Sequence, residues 1–490
     1  MAQPSLISRE TPRKFDALVN MDVSSITLSR ISKLLVDSSA LSTQEALARR
    51  ERFGITLRCG TDVEQSRTLQ LAVLTATNIA ARCFPGAVRV VLERDVADAR
   101  LLVWPSLACT LGSALADIVG PNSLCAAAKS EIEGPALLFG NAAAVRGALR
   151  VTFDGWIVKV GPAASVDPLP QRQYCALSGV LAGALAISEM FLVFAELSIE
   201  AGRRAVGLSL WRPDLPISDP AALGVPVEVL PRDLWVLGLG HLGNSYLWGL
   251  AALPYAQWNA SEIYLNDFDK VEPENVETGM IFTPKDEGQL KTRICSKWME
   301  ERGFRTRLVE RPFDSNFRCR TAPPQTEPRL ALCGFDSNPA RRDLATAGFA
   351  RVMESGLGGD KDNFETISFH TLPNPRTAEE LWPDLTPAEE TRRREKRERL
   401  ARENPAYAQL ANDECGRAEL AGKSVAVPFV GATAATVVLA EAIRLLHDGP
   451  SYTDIKVALT GLDRRFAETS RNYTAQDSAG IKFCDASIDR

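Results

Sequence analysis

Residues 234–291 read LWVLGLGHLGNSYLWGLAALPYAQWNASEIYLNDFDKVEPENVETGMIFTPKDEGQLK and decide the fold. A short apolar run over 234–237 predicts a β-strand, and three glycines follow it at the spacing G-x-G-x-x-G, namely Gly238, Gly240 and Gly243. In such a unit the first glycine permits a tight turn, the second lets backbone N–H groups approach a phosphate, and the third lets helix and strand pack closely. An apolar helical pattern begins directly after the last glycine. The stretch therefore predicts a phosphate-binding loop at the N-terminus of a helix.

Two acids end the next apolar run of this stretch. The run over 263–265 predicts a second strand, and Asp267 and Asp269 follow it. An acid at the end of the second strand can reach the hydroxyl groups of a ribose. Most units with this pattern bind NAD or FAD, so a dehydrogenase is the first interpretation. An ordinary glycine-rich turn is the alternative, which the strand before the glycines and the acids after them disfavour.

The segment after these acids resembles a different class of enzyme. The matching residues stand in the pattern D-x-D, acidic-Asn segment, aromatic, D-x-G-x-x-K: Asp267, Asp269, Asn275, Phe282, Asp286, Gly288 and Lys291. A second block, LCGFDSNPARR over 332–342, carries Asp336 at the end of a predicted strand. Together the two blocks resemble the adenylating domain of the ubiquitin-activating enzyme family, the ThiF–MoeB superfamily, and in particular bacterial ubiquitin-like activating enzymes of conjugation operons. The resemblance covers about residues 230–447.

The resemblance implies an α/β, Rossmann-like ThiF-type adenylation fold that binds ATP and Mg²⁺. The glycine loop would cradle phosphate, Asp269 with Asp267 would hold the ribose, and Asn275 belongs to the same nucleotide site. Lys291 would neutralise phosphate charge, and Asp336 would act in catalysis by positioning magnesium. Two plainer alternatives remain open, in which Lys291 is a surface lysine and Asp336 is a helix N-cap.

The implied reaction is activation of the C-terminal carboxylate of a ubiquitin-like protein that ends in Gly, followed by transfer to a conjugating enzyme. Adenylation requires ATP held in place, phosphate charge neutralised, and the carboxylate placed in line with the α-phosphorus. Cys415 lies in a polar segment and is the candidate nucleophile, because a thiolate can capture the adenylate as a thioester. Some members of the family stop at the adenylate, so a loop cysteine without a role is the alternative.

One departure from the family pattern concerns the ATP phosphates. The family has Asn-Arg-Gln where this chain has Glu277, Thr278 and Gly279, and the missing arginine usually contacts the phosphates. Four arginines are candidates to replace it: Arg49, Arg52, Arg341 and Arg342. Two alternatives to an activating enzyme therefore stay open. One is a pseudoenzyme that binds a ubiquitin-like partner without adenylating it, and the other is an NAD- or FAD-dependent oxidoreductase.

Composition limits the partners and the compartment. The 490 residues are 45% hydrophobic and 24% charged, and the formal net charge of −5 gives no general attraction to nucleic acid or to an anionic membrane. The apolar stretch 175–194 contains Glu189 and is expected to be a buried helix, and the N-terminus lacks a signal-peptide pattern. Ten scattered cysteines without a C-x-x-C pair predict a reducing cytoplasm and no structural zinc.

The rest of the chain predicts two related halves. The first half echoes the second, with strands predicted at 71–74 and 87–92 and a helix at 175–194, but it lacks the three glycines. We therefore expect an inactive copy that forms a pseudo-dimer with the active copy inside one chain, with one nucleotide per chain; an unrelated α/β domain is the alternative. The predicted segments are an N-terminal helical segment (1–60), an inactive adenylation-like domain (61–210), a Pro-rich linker (211–231), an active domain (232–460) with a crossover loop (376–430), and a C-terminal tail (461–490).

Overall fold

The structure is a computed structural model that describes most of the chain. The described residues are 29–38, 41–93, 95–126, 134–322, 326–359, 362–404, 407, 421–422, 424–470 and 481–487. The predicted nucleophile Cys415 lies outside these residues, as do residues 1–28 at the N-terminus.

The first half is built on a seven-stranded sheet in the order β3-β2-β1-β4-β5-β6-β7. Its strands are β1 (Gly54–Cys59), β2 (Ala87–Leu92), β3 (Leu124–Ala126), β4 (Ala136–Phe139), β5 (Leu149–Asp154), β6 (Ile157–Pro162) and β7 (Val206–Ser209). The neighbours from β3 to β5 run parallel, whereas β6 and β7 are antiparallel to their neighbours. The sheet begins inside the segment that we predicted as helical up to residue 60, because the short apolar run GITLRC pairs with strands on both sides.

Five α-helices accompany this sheet in the described part of the first half. They are α1 (Arg30–Ser38), α2 (Thr43–Glu51), α3 (Arg67–Cys83), α4 (Leu111–Val119) and α5 (Leu177–Phe194). The predicted strand at 71–74 is wrong, because these residues lie inside α3, whose N-cap Ser66 accepts a hydrogen bond from the N–H of Leu69 at 3.2 Å. The segment runs through 17 residues, most of them buried, which is too long for a typical strand, and the turn that corresponds to the glycine loop lies before this helix. The predicted strand at 87–92 is confirmed as β2.

The second half repeats the strand order of the first in an eight-stranded sheet, β11-β10-β9-β12-β13-β14-β15-β16. Its strands are β9 (Leu234–Leu237), β10 (Glu262–Asn266), β11 (Arg305–Val309), β12 (Leu330–Cys333), β13 (Arg351–Leu357), β14 (Thr366–Leu372), β15 (Tyr452–Ala458) and β16 (Phe466–Thr469). Again the neighbours from β11 to β13 run parallel and the later strands antiparallel. The shared order confirms the α/β fold with two related copies in one chain.

Seven α-helices connect the strands of the second half in the described part of the chain. They are α6 (His241–Ala252), α7 (Pro273–Thr278), α8 (Lys291–Glu300), α9 (Asn338–Asp343), α10 (Ala378–Leu381), α11 (Pro387–Glu403) and α12 (Pro428–Leu446). Helix α11 lies in the predicted crossover loop and is exposed along almost its whole length. A two-stranded sheet pairs β8 (Val229–Arg232) with β17 (Lys482–Asp485), so the C-terminal segment contributes strands as well.

The two halves meet through their longest apolar helices. Helices α5 and α12 each follow the sixth strand of their half, and they pack against each other. Both are long and apolar enough to span a membrane by length and composition, yet most residues of each are covered by the protein. One continuous hydrophobic core contains residues of both halves. The stretch 175–194 is therefore a buried helix, as predicted, and the halves form the expected pseudo-dimer.

Candidate functional site

The glycine loop joins β9 to α6. Gly238 has a φ of +77°, which side-chain-bearing residues rarely adopt. A Cβ added at Gly243 would lie 1.9 Å from the carbonyl oxygen of Gly238, so the helix touches the turn there. A Cβ added at Gly240 would meet nothing within 4 Å, so the space in front of the loop is open. The loop has the shape that a phosphate at the N-terminus of a helix requires.

Asp267 holds the glycine loop in place. Its Oδ2 accepts the backbone N–H of Leu239 at 2.6 Å, and its Oδ1 accepts the N–H of Asp269 at 2.8 Å. The residue is 9% exposed. Because both carboxylate oxygens of Asp267 are engaged by backbone, Asp269 is the acid of the pair that is available to a ligand.

Asp269 and Lys291 form an ion pair beside this loop. The distance from Lys291 Nζ to Asp269 Oδ2 is 3.3 Å, and the side chains of Lys291 and Asp269 are 9% and 55% exposed. The backbone N–H of Lys291 also donates to the carbonyl oxygen of Asp269 at 3.0 Å. Lys291 is thus a largely buried lysine with a fixed direction, which argues against the surface-lysine alternative.

Asp336 is exposed just beyond the carboxyl end of β12. The N–H of Gly334 donates to the carbonyl oxygen of Leu237, the last residue of β9, at 2.9 Å. A Cβ added at Gly238 would lie 3.1 Å from the ring of Phe335. The Asp336 loop therefore adjoins the glycine loop. The carboxylate of Asp336 makes no hydrogen bond or ion pair with any described residue. The N-cap alternative is wrong, because Ser337 occupies that position of α9.

Arg341 and Arg342 follow this loop, but their guanidinium groups are engaged elsewhere. Arg341 donates from Nε and Nη2 to the carbonyl oxygen of Phe335 at 2.9 and 2.6 Å, and Nε lies 3.0 Å from Glu354 Oε1. Arg342 donates to the carbonyl oxygen of Trp382 at 2.6 Å and pairs with a carboxylate near α10. Arg341 therefore anchors the loop that carries Asp336.

Asn275 stabilises the start of α7, and Asn244 connects the glycine loop to the turn after α7. Asn275 Oδ1 accepts the N–H of Glu272 at 2.9 Å and thereby closes the first turn of α7. Asn244 donates to the carbonyl oxygen of Leu239 at 2.9 Å and accepts the N–H of Ile281 at 3.0 Å. No sequence signal marks Asn244, because the G-x-G-x-x-G spacing does not constrain the residue that follows the last glycine.

Three arginines of the first half hold α7 and the turn after it. Their contacts cross between the halves: Arg30 with Glu274 at 2.6 Å, Arg50 with Glu277 at 2.6 Å, and Arg82 with the carbonyl oxygens of Val276 and Met280 at 2.6 and 3.2 Å. The two acid side chains are only 10% and 14% exposed. The negative charge of Glu277, in the segment that departs from the family pattern, is thus neutralised by an arginine of the other half of the chain.

The predicted arginines of the first half do not make this contact. Arg49 pairs at 3.1 Å with Glu196, whose side chain is 80% exposed, and Arg52 is exposed at the end of α2. Arg50, between them, faces the second half. Successive residues of a helix point about 100° apart, so the docking of α2 decides which arginine reaches across, and the sequence does not show that docking.

We expect Arg50→Ala to destabilise the protein, because it leaves the Glu277 carboxylate unpaired in the interface between the halves. Breaking one partner of a buried ion pair costs about 3 kcal/mol, which corresponds to a drop of several degrees in melting temperature. Arg49→Ala is the matched control on the same helix, and it should change the stability by less than about 1 kcal/mol because its partner is solvated. Equal melting temperatures for the two variants, measured by thermal denaturation, would contradict the assignment.

The matching corner of the first half is closed. β1 is followed by a single glycine, Gly60, where β9 is followed by three. A Cβ added at Gly60 would lie 2.0 Å from Oδ1 of Asn141, a residue of the loop after β4. The N–H of Asn141 donates to Asp62 Oδ1 at 2.9 Å. In the first half, side chains therefore fill the space in front of this turn, whereas the equivalent space in front of Gly240 in the second half is open.

His241 is the first residue of α6, directly after Gly240, and packs against α12. Burial lowers the pKa of its imidazole to about 4, so the ring is neutral near pH 7. A Cβ added at Gly431 would lie 2.5 Å from His241 Nε2, so α12 packs directly against this ring. The loop is thereby supported by the helix that joins the halves.

Burial raises the pKa of seven thiols, to about 11 for Cys319, to about 12 for Cys175, above the ordinary value for Cys484, and well above it for four others: Cys59, Cys83, Cys295 and Cys333. A raised pKa keeps a thiol protonated and lowers its nucleophilicity. Cys109 is the exposed cysteine among those that the structure describes.

We expect iodoacetamide at pH 8 to label Cys109 within minutes and to leave the buried thiols unmodified until the protein is denatured. Peptide mass spectrometry gives the labelling rate of each site, including Cys415, and Cys109→Ser serves as the control. Rapid labelling of Cys333 in the folded protein would contradict the buried position of β12.

The comparisons with known proteins agree with this architecture. Residues 54–210 match the family model of the BilD N-terminal domain, and residues 230–449 match that of the BilD C-terminal domain. The bacterial E1-like protein BilD of Collimonas sp. (strain OK412) is 33% identical over 441 residues, which cover 89% of this chain and 92% of that protein.

Two solved structures share a weaker likeness to the chain. E. coli MccB is 13% identical with a TM-score of 0.33, over 49% of this chain and 62% of the MccB chain. The E. coli tRNA N6-threonylcarbamoyladenosine dehydratase TcdA is 16% identical with a TM-score of 0.28, over 44% of this chain and 85% of that chain. The chain thus spans less than two thirds of the length of MccB.

Proposed function

Because the chain belongs to the family of the bacterial E1-like protein BilD, we propose that it uses ATP to adenylate the C-terminal carboxylate of a ubiquitin-like protein ending in Gly. One observation carries this proposal. The open glycine loop, the Asp269–Lys291 pair and the unpaired Asp336 all lie at the carboxyl ends of β9, β10 and β12. Ligands of open α/β sheets bind at that edge.

The residues of the second half supply what the reaction needs. A carboxylate oxygen of the partner attacks the α-phosphorus of ATP, the bond between the α-phosphorus and its bridging oxygen breaks, and pyrophosphate leaves. The glycine loop would bind phosphate through backbone N–H groups, Asp269 would hold the ribose, and Lys291 would neutralise charge. Such positioning and charge stabilisation account for most of the catalysis in phosphoryl and nucleotidyl transfer.

A magnesium ion fits Asp336. Mg²⁺ in nucleotide sites is commonly held by one or two carboxylates together with the phosphates of the substrate, and Asp336 is exposed and unpaired beside the glycine loop. Within the part of the chain that the structure describes, no group of three or more acid, His or Cys side chains could hold a metal without such a ligand. When bound, the ion would neutralise charge on the leaving pyrophosphate.

A pseudoenzyme is the second candidate, and a specific observation favours it. The family arginine is absent, and Thr278 at that place is buried and donates to the carbonyl oxygen of Glu274 at 2.9 Å. Of the four arginines predicted to replace it, Arg49, Arg341 and Arg342 are engaged with other groups. In this alternative the chain would hold a ubiquitin-like protein without activating it.

The fate of the adenylate depends on a nucleophile. Since burial disfavours the thiolate of most described cysteines, we retain Cys415 as the proposed nucleophile for a thioester, followed by transfer to a conjugating enzyme. The partner with ATP on a non-reducing gel tests this step. Loss of a thiol-sensitive adduct in Cys415→Ala, with adenylation retained, would support it, and an unchanged adduct would place the nucleophile elsewhere.

ATP–pyrophosphate exchange tests the proposed function itself. The assay uses the full chain, labelled pyrophosphate, and a ubiquitin-like protein that ends in Gly and is encoded near this chain. We expect exchange that requires both the partner and Mg²⁺, and that disappears when the C-terminal Gly of the partner is deleted. Binding of the partner without exchange would establish the pseudoenzyme instead.

A further inference from the structure

A row of buried ionisable side chains runs through the second sheet from the nucleotide edge toward its antiparallel side. Cys333, the last residue of β12, pairs in register with Glu354 on β13. Glu354 pairs with His370 on β14, and His370 pairs with Asp454 on β15. Residues paired in register lie on the same face of a sheet. Three titratable side chains on three neighbouring strands therefore line up beside the strand that carries the Asp336 loop.

The side chains of this row are buried and contact one another. Glu354 is 0% exposed, Asp454 is 2% exposed and His370 is 8% exposed. His370 Nδ1 lies 3.0 Å from Glu354 Oε2, and His370 Nε2 lies 3.4 Å from Asp454 Oδ1. Arg376, which is partly exposed, pairs with Asp454 at the far end. The row thus alternates carboxylates with nitrogen groups from the interior to the surface.

The near end of the row reaches the candidate metal ligand. Glu354 Oε1 forms an ion pair with Arg341, with Nε at 3.0 Å, but accepts no hydrogen bond from a described residue, because Arg341 donates from Nε and Nη2 to the carbonyl oxygen of Phe335. Phe335 directly precedes Asp336, so fixing this carbonyl fixes the backbone from which the Asp336 carboxylate projects. The Asp336 side chain has no partner of its own among the described residues. Its direction therefore depends on the anchored backbone.

We propose that Glu354 and His370 are positioning residues for Asp336. Buried charges are costly, and removing one partner of such a set is strongly destabilising, so a sheet interior that only needed packing would be better served by apolar residues. Buried ionisable side chains next to the proposed nucleotide site would serve a function if they held a metal-binding carboxylate in one orientation. The ion pair with Glu354 keeps the Arg341 guanidinium beside the Phe335 carbonyl, and the contact of His370 Nδ1 with Oε2 keeps Glu354 in place. This inference rests on the proposed function, because it assigns Asp336 to the metal of a bound nucleotide.

A double-mutant cycle on binding tests the inference without relying on turnover. Calorimetry gives the affinity of the full chain for ATP with Mn²⁺ and without any divalent metal, for wild type, Glu354→Gln, Asp336→Ala and the double variant. We expect Asp336→Ala to abolish the gain in affinity that the metal gives. Glu354→Gln should reduce that gain about tenfold and leave metal-free affinity unchanged, and it should add nothing to Asp336→Ala.

Two further variants keep the result interpretable. Glu189→Gln removes an equally buried carboxylate of the first half, one that accepts the N–H of Gly202 at 2.9 Å, and should leave the metal-dependent gain unchanged. If Glu354→Gln fails to fold, His370→Gln replaces it and should reduce the gain about threefold.

Each outcome decides the inference. Additive losses in the cycle, or an equal loss of affinity with and without metal, would show that Glu354 serves the fold alone and would overturn it. A wild-type chain that binds no ATP with Mn²⁺ would overturn the proposed function, and this inference with it.

Discussion

Asp336→Ala should lower the rate of ATP–pyrophosphate exchange at least a hundredfold and leave the melting temperature unchanged. The loss follows from the role of the metal, since charge stabilisation at a transferring phosphate contributes several kcal/mol to the transition state, and about 2.7 kcal/mol corresponds to a factor of a hundred. The unchanged stability follows from the structure, because the side chain is exposed and makes no hydrogen bond or ion pair with a described residue. Exchange kinetics and thermal denaturation measure the two effects separately.

Asp343→Ala is the control for this experiment. Asp343 is the last residue of α9, seven positions after Asp336, and is also partly exposed. We expect its substitution to leave the exchange rate within a factor of two of wild type. Full exchange in Asp336→Ala would mean that the metal is held by other groups.

Gly243→Ala should abolish nucleotide binding and also destabilise the protein. The added methyl group would lie 1.9 Å from the carbonyl oxygen of Gly238, which is backbone and cannot move without displacing the turn. Forcing an extra methyl into a closely packed site costs about 1–3 kcal/mol, and the displaced turn no longer presents its N–H groups to a phosphate. Calorimetry with ATP and thermal denaturation should both register the change.

Gly240→Ala provides the informative comparison, because a Cβ at this position meets nothing within 4 Å. It should leave the melting temperature near that of wild type and still weaken ATP binding, since the methyl group projects into the space in front of the loop. If Gly240→Ala destabilised the protein as much as Gly243→Ala, the open space that we infer there would be wrong.

The second half could be predicted from sequence because its signals are local. The bounds of β9, 234–237, follow from an apolar run that ends at a glycine. Gly238 has a φ of +77°, a conformation that few residues other than glycine adopt, so the glycine itself marks the turn. Asp267, Asp269 and Asp336 each lie just after a strand, and the carboxyl ends of parallel strands meet at one edge. Each of these predictions depends on residues within a few positions of one another.

The features that the sequence did not reveal depend on distant parts of the chain. Residues 71–74 could be read as a strand because these four consecutive residues are all apolar, and a run this short does not distinguish a strand from part of a buried helix. Arg50 gains its role from the docking of α2 on the second half. The row of Glu354, His370 and Asp454 depends on the register of strands that lie up to about a hundred residues apart, and register cannot be read from one sequence.

The packing of α5 against α12 has a consequence for synthesis on the ribosome. Helix α5 is complete at Phe194, whereas the helix that covers it begins at Pro428. At roughly 5–20 residues per second, translation leaves this apolar helix without its partner for on the order of ten to fifty seconds. During that interval the newly made first half presents an apolar surface that chaperones can bind. A second nascent chain on the same messenger could also offer its own α12 and exchange halves with the first.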